Sequence, residues 1–260
     1  MKTSKLFKSI ALVLVLALLA AAFAACAPKV GLEKVKKAGK LVVLTSSGFA
    51  PFEYLGANNE VVGVDMDIAQ AVADEIGVKL EVVDMDFDGI VMAIKNGKGD
   101  LGAAGMTADD ERRQSVDFSI NYVDAAQVII VPQGSDIKTA ADLAGKNVGV
   151  QMGTTGDIYV TDNANAKEVF RYKTGPDAGA ELANGKIDAV VIDEMPAQQI
   201  AAVNSGLVVL DEPLTEEQYA IAIPKGAEDL KAVVDTVVQR MLDDGTIAKL
   251  IEEHKAASGS

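Results

Sequence analysis

The stretch GMTADDERRQSVDF (105–118) sets a bare backbone at Gly105, a hydroxyl at Thr107 and a guanidinium at Arg112 close together. Those types suit a carboxylate, which takes single hydrogen bonds from backbone and hydroxyl donors and both prongs of a planar fork. The stretch follows the apolar run 101–104, preceded by Lys98-Gly99-Asp100, so it reads as the exit of a buried strand. The chain has four arginines, Arg112, Arg113, Arg171 and Arg240, which gives the placement of this one weight. On these residues alone a plainer reading stays open, an exposed pair between Arg112 and Asp109 or Asp110. A second polar pair, Asp193-Glu194, follows another apolar run at 189–192.

The two polar exits are preceded by similar sequence. A helical segment ends at Asn96-Gly97-Lys98-Gly99-Asp100, and another near Ala183 ends at Asn184-Gly185-Lys186-Ile187-Asp188. Asn-Gly stops a helix through a left-handed residue, so the echo could be turn chemistry alone. Both copies nevertheless put polar groups just past a buried strand, where open α/β sheets bind ligands. Around them, 41–44 and 79–83 read as strands, and 64–77 and 87–95 as helices, with Gly77 as a stop. Strands alternating with helices imply crossovers and a mostly parallel sheet. The strand-like runs 125–131 and 219–223, the latter closed by Pro224, read as two crossings between two lobes. Helices over 228–243 and 246–254 then return to the first lobe.

Composition narrows the function. The 260 residues are 49% hydrophobic and only 5% aromatic, so Ala, Val and Ile carry the interior, as in α/β layers. A net charge of −14 repels nucleic-acid backbones and anionic membranes. One cysteine and one histidine, His254 near an end expected to fray, argue against a protein-built zinc or haem site and against histidine catalysis.

At the N-terminus Lys2, Lys5 and Lys8 precede the apolar run 10–22, which is short for a membrane span. Ala24-Ala25 then precede Cys26. The arrangement resembles a bacterial lipoprotein signal, with Phe23 where Leu is usual, and implies lipidation of Cys26; a plain secretory signal is the alternative. Either places the mature chain outside the cytoplasm. Residues 30–40 read as a short tether and amphipathic start.

Six segments, in order, resemble the bacterial extracellular solute-binding proteins of family 3, which serve polar amino-acid ABC importers. They are LVVLTSSGFAPFEY (41–54), GVDMDIAQAV (63–72), DFDGIVMAIKNGKGD (86–100), GMTADDERRQSVDF (105–118), VGVQMGTTGD (148–157) and KIDAVVIDEMPA (186–197). Asn121 stands where the family usually has Pro, and Asp109 where Thr is common; neither is expected to touch the ligand contacts. The resemblance implies an α/β, two-lobed periplasmic-binding-protein fold of type II, each lobe a mostly parallel sheet flanked by helices, joined by a two-strand hinge. It implies a signal peptide over 1–25, a tether over 26–35, a first lobe over 36–125 with 220–257, and a second over 126–219.

The same resemblance implies roles. Arg112 and Thr107, helped by backbone at Gly105, would bind a ligand α-carboxylate from the first lobe, and Thr155 would add donors from the second where a helix opens. Asp193 would accept from the α-ammonium, and Phe49, Phe52 and Phe87 would wall the side chain. Ser46, Gly105, Gln151 and Ile192 would set selectivity. No second anion or second arginine is evident for a charged side chain, so a polar or neutral L-amino acid is expected. The implied protein is a monomeric, lipid-anchored, extracytoplasmic receptor without cofactor. It closes on its ligand about the hinge and delivers it to an ABC permease and ATPase. The alternatives are a cyclohexadienyl-dehydratase-like enzyme on the same fold, with Glu194 as an acid, and a ligand-sensing module.

Overall fold

The computed structural model describes residues 30–259. The signal segment and Cys26 lie outside the described residues. The fold opens with helix α1 (Leu32–Ala38), whose Val35 is buried and whose Lys34 pairs with Asp100 at 2.8 Å. The stretch expected as tether through residue 35 is therefore helical from Leu32, because Val35 has a core to enter.

Two five-stranded sheets follow. In the first, β1 (Lys40–Thr45), followed in the chain by a small antiparallel pair of β2 (Tyr54–Leu55) and β3 (Val61–Val62), pairs in parallel with β4 (Lys79–Asp84) and with β5 (Leu101–Gly102). The order is completed by β14 (Ala222–Pro224), antiparallel to β5 and to β6 (Val116–Phe118). In the second, β9 (Asn147–Gln151) pairs in parallel with β10 (Glu168–Tyr172) and β11 (Ala189–Asp193). There β8 (Gln127–Pro132) runs antiparallel to β11 and to β12 (Leu207–Val209). The sheets thus share one plan, four strands one way and one reversed. In each, the reversed strand is the first laid down after the chain crosses from the other sheet.

Helices follow the apolar periodicity. Helix α2 (Val64–Ile76) stops at Gly77, whose φ of +80° lets its N–H cap the Ala73 and Asp74 carbonyls. A 3₁₀ turn over Phe87–Gly89 leads into α3 (Ile90–Lys95). The second sheet is flanked by α4 (Thr155–Asn163), α5 (Gly175–Ala183) and α6 (Glu194–Val203). Helices α7 (Glu228–Asp243) and α8 (Thr246–Ser258) return to pack on α2. His254 lies within α8 rather than on a frayed end, with Nε2 2.8 Å from Asp67 and Nδ1 3.0 Å from the Tyr54 hydroxyl.

Each sheet has its own core. One gathers Leu44, Ile90, Ile94, Met106, Val116 and Phe118; the other Ile129, Leu143, Val148, Val150, Val160 and Val191. Two cores on two matching sheets make two lobes, the type II arrangement. The expected connectors need a correction. The strands that pair between the lobes are β7 (Val123–Ala125) and β13 (Glu217–Tyr219), antiparallel with Glu217 opposite Ala125. The run 125–131 lies mostly in β8, where Val128, Ile129, Ile130 and Val131 are all buried. An apolar run that long belongs inside a sheet, not in an exposed crossing.

Candidate functional site

The carboxyl ends of β5 and β11 meet across the gap between the lobes. A cavity there is lined by Phe49, Phe87, Gly105, Thr107 and Arg112 from the first lobe and Gln151, Thr154, Thr155 and Asp193 from the second. Its free space, about 10 Å³, suffices for a single water, so the two walls touch. Eight of the eleven residues expected to bind ligand or set selectivity are brought together here, and Ile192, buried within β11, is not. Phe52 is not among them. It is wholly buried behind Phe49, 5.0 Å edge-on to the Tyr219 ring, and so serves the core. Ser46 is buried at the end of β1 and does not line the cavity either.

Arg112 sits in a 3₁₀ turn beyond β5, its guanidinium 5.3 Å from the Phe87 ring centre. Nη1 donates to the Thr107 carbonyl at 2.8 Å and Nη2 to the Gly153 carbonyl of the other lobe at 3.0 Å. Asp109 both accepts the Arg112 backbone N–H at 2.7 Å and lies 3.3 Å from Nε. The expectation that Asp109 stays clear of the ligand contacts is thus overturned: it orients the guanidinium. Arg112 thus pairs with Asp109, but the pair is largely buried rather than exposed, and the guanidinium lines the cavity. Burial lowers its pKa, opposed by Asp109, Asp193 and Glu217; a guanidinium stays charged regardless.

Gly105 has φ +50°, and a Cβ there would fall 2.5 Å from Cε1 of Phe49. Glycine lets that ring lie flat over the strand exit. The Gly105 N–H, expected to help a carboxylate, is already donated to Asp65 at 2.8 Å, and the other Asp65 oxygen accepts from the Tyr122 hydroxyl at 2.6 Å. That donor is part of a buried brace instead. Burial pushes Asp65 up to about 6 despite those bonds.

On the second lobe, α4 opens at Thr155 as expected, its cap Thr154 accepting the Asp157 N–H at 3.2 Å. Free N–H groups at that helix start suit an anion. Asp193 closes β11 and accepts the Tyr219 hydroxyl at 2.5 Å. Burial pushes it up to about 7, with Glu217 adding to the shift and the Tyr219 and Gln127 bonds opposing it.

Sequence reasoning missed Glu217, Tyr219 and Glu53. The Thr107 and Thr155 hydroxyls both donate to Glu217, at 2.6 and 2.7 Å. Glu53 is wholly buried, and neither carboxyl oxygen has a hydrogen-bond partner among the described residues. Burial, reinforced by Asp65, Asp193 and Asp84, raises it well above the usual carboxylate range. No motif marks Glu53; its signal is an acid embedded in the apolar string FAPFEY.

A guanidinium and a carboxylate offered by opposite lobes to one cleft define a two-lobed receptor for a small solute. The chain belongs to the bacterial extracellular solute-binding proteins, family 3, whose sequence profile matches residues 41–256. Among curated relatives it is 34% identical to the arginine-binding extracellular protein ArtP of Bacillus subtilis, over 92% of this chain and 94% of that one. It is 31% identical to the L-cystine-binding protein TcyJ of Escherichia coli, over 85% of each. Among solved structures, a mutant of ArgBP from T. maritima superposes with a TM-score of 0.83 at 40% identity, covering 86% of this chain and 99% of that one. AbpA of Streptococcus pneumoniae bound to L-arginine superposes with a TM-score of 0.84 at 33% identity, over 88% and 99%. These relatives are substrate-binding proteins, and the chain is a binding protein, not an enzyme. No helix among the described residues is long and apolar enough to cross a membrane.

Proposed function

We propose that the protein is the extracytoplasmic receptor of an ABC importer and that its ligand is an L-amino acid with a cationic side chain, arginine first. One observation carries the amino-acid reading: Arg112 and Asp193, from opposite lobes, line one cavity. Arg112, with Thr107 and the start of α4 at Thr155, holds the α-carboxylate. Asp193 holds the α-ammonium, and Phe49, Phe87 and Gln151 flank the side chain. Only a ligand touching both lobes favours their closure, which the permease then reads.

The side-chain reading departs from the expected neutral one because of charge balance. Around the cleft three acids are buried, Glu53, Asp65 and Asp193, against one cation, Arg112. The α-carboxylate offsets Arg112 and the α-ammonium offsets Asp193, leaving Glu53 and Asp65 without a counter-charge, of which Asp65 is held by the Gly105 N–H and the Tyr122 hydroxyl and Glu53 by nothing among the described residues. A guanidinium supplies one, and the names of the arginine-binding relatives agree with it. A neutral ligand is the second reading. The raised Glu53 carboxyl, held protonated, could pair with an uncharged group, as the cystine-binding relative allows. Calorimetry with L-arginine, L-glutamine, L-cystine and L-glutamate decides. The cationic reading expects arginine to bind at least tenfold tighter than the rest and Glu53→Gln to erase that preference. Tighter binding of glutamine or cystine would refute it.

The lobes comprise 36–125 with 220–257, and 126–219, and Cys26 carries the lipid that keeps the receptor at the membrane. Moving the protein to the soluble fraction by Cys26→Ser tests the anchor; a wild-type protein recovered soluble and unmodified would contradict it.

A further inference from the structure

Strand β13 runs between the two walls of the site, and the first wall is laced to it. Ala220 N–H donates to the Met106 carbonyl at 3.0 Å, Ala108 N–H donates to the Gln218 carbonyl at 3.3 Å, and Thr107 bridges to Tyr219. This brings Thr107 of the first lobe and Thr155 of the second to one hinge carboxylate. Oε2 of Glu217 accepts from the Thr107 hydroxyl at 2.6 Å and from the Thr155 hydroxyl at 2.7 Å; Oε1 accepts from Thr215 at 2.8 Å. Two residues on, along the same face of the strand, Tyr219 donates to Asp193. The hinge strand therefore presents an anion to the carboxylate donors and a donor to the ammonium acceptor, the same pattern as an amino-acid head group.

We propose that Glu217 is an affinity-determining residue that competes with the ligand α-carboxylate for the Thr107 and Thr155 hydroxyls. The inference rests on the amino-acid reading of the cleft. A hydroxyl has one proton to donate, so each bond to Glu217 is one the ligand carboxylate does not receive. A bound carboxylate also adds a second negative charge beside the first, at a half-buried position. Glu217 sets how strongly the carboxylate end must be gripped before a ligand is held. It does nothing of the kind to a ligand without that charge.

The test pairs each acid with its neutral amide. Affinities of L-arginine and L-argininamide, and of L-glutamine and L-glutaminamide, are measured by calorimetry on the wild type and on Glu217→Gln. Glu217→Ala serves as a second variant should the amide disturb the hinge, with thermal melting to report folding. Losing the charged acceptor should tighten the acid by about tenfold and leave the amide unchanged or weaker, so that the acid-to-amide ratio rises. A role in hinge stability alone would move acid and amide together. A ratio that stays constant or falls in both variants would overturn the proposal. Failure of the wild type to bind either acid would instead strike the amino-acid reading beneath it.

Discussion

The two lobes contain the same helix–turn–strand unit but leave it differently. In each, a helix ends on Asn-Gly, at Asn96-Gly97 and Asn184-Gly185, with the glycines at φ +70° and +69°. The next N–H returns to the helix in both, Lys98 to the Ala93 carbonyl at 3.0 Å and Lys186 to Glu181 at 3.1 Å. An aspartate then clamps the neighbouring strand: Asp100 accepts the Val42 N–H at 2.9 Å, and Asp188 accepts the Asn147 N–H at 2.7 Å. The echo is therefore more than turn chemistry. Past the strand the first lobe enters an irregular loop whose length lets Arg112 reach the cleft. The second passes straight into α6, with Asp193 at the N-cap. Asp193 does not cap its own helix, which leaves its carboxylate for Tyr219 and the cleft. Shared scaffolding sets position, and the exits set the sign of the charge.

Breaking the exits should cost function. Arg112→Ala removes the one buried cation lining the cavity among the described residues and should weaken L-arginine by about 3 kcal/mol or more, read by calorimetry. Micromolar binding by that variant would mean that the first exit is misread. Asp193→Asn should cost less, on the order of 2 kcal/mol, because the amide oxygen still accepts. The α-ammonium should draw the wild-type carboxyl down from about 7, so binding near pH 6 should release protons. Comparison of binding heats in buffers of different ionisation enthalpy reads that release, which should shrink in Asp193→Asn.

Burial of acids should also show in stability. Asp65 and Asp193 titrate near 6 and 7 when folded, above their ordinary values near 4, so the folded ligand-free chain binds more protons than the unfolded chain between these limits. Its stability should therefore fall as pH rises from about 4 to 7, by a few kcal/mol in denaturant titrations. A rise across that window would contradict the buried-acid account. The smallest effects concern the shared unit. Asp100→Ala, at a buried site that also pairs with Lys34, should cost about 1–2 kcal/mol of stability, and Asp188→Ala, at an exposed one, less than about 1. Neither should change ligand affinity; equal costs would mean that the clamps do not differ as their burial implies.

Sequence made the exits readable and left the hinge obscure. Arg112, Thr107, Thr155 and Asp193 stand just beyond apolar runs, where periodicity breaks and polar side chains have few uses besides a ligand or a cap. The pairing strands 123–125 and 217–219 are three residues each, with Asp124, Glu217 and Gln218 among them, so they resemble loop. Their neighbours 125–131 and 219–223 carry the apolar signal because they enter the sheets. Glu217 was hidden for that reason, whereas Tyr219, read as the start of the run 219–223, carried no sign of its bond to Asp193. Phe52 looked like a pocket wall because type alone does not separate packing from lining, and Glu53, inside the segment 41–54, drew no reading of its own. The Gly105 donor was lost to Asp65, a partner 40 residues away.

The central claim, that opposite lobes grip the two charged ends of an amino acid, is tested most directly by one calorimetric cycle. L-arginine and L-argininamide are titrated into wild type, Arg112→Ala and Asp193→Asn. The account predicts a wild-type preference for the acid that vanishes in Arg112→Ala and survives in Asp193→Asn. A preference retained in full by Arg112→Ala would contradict it.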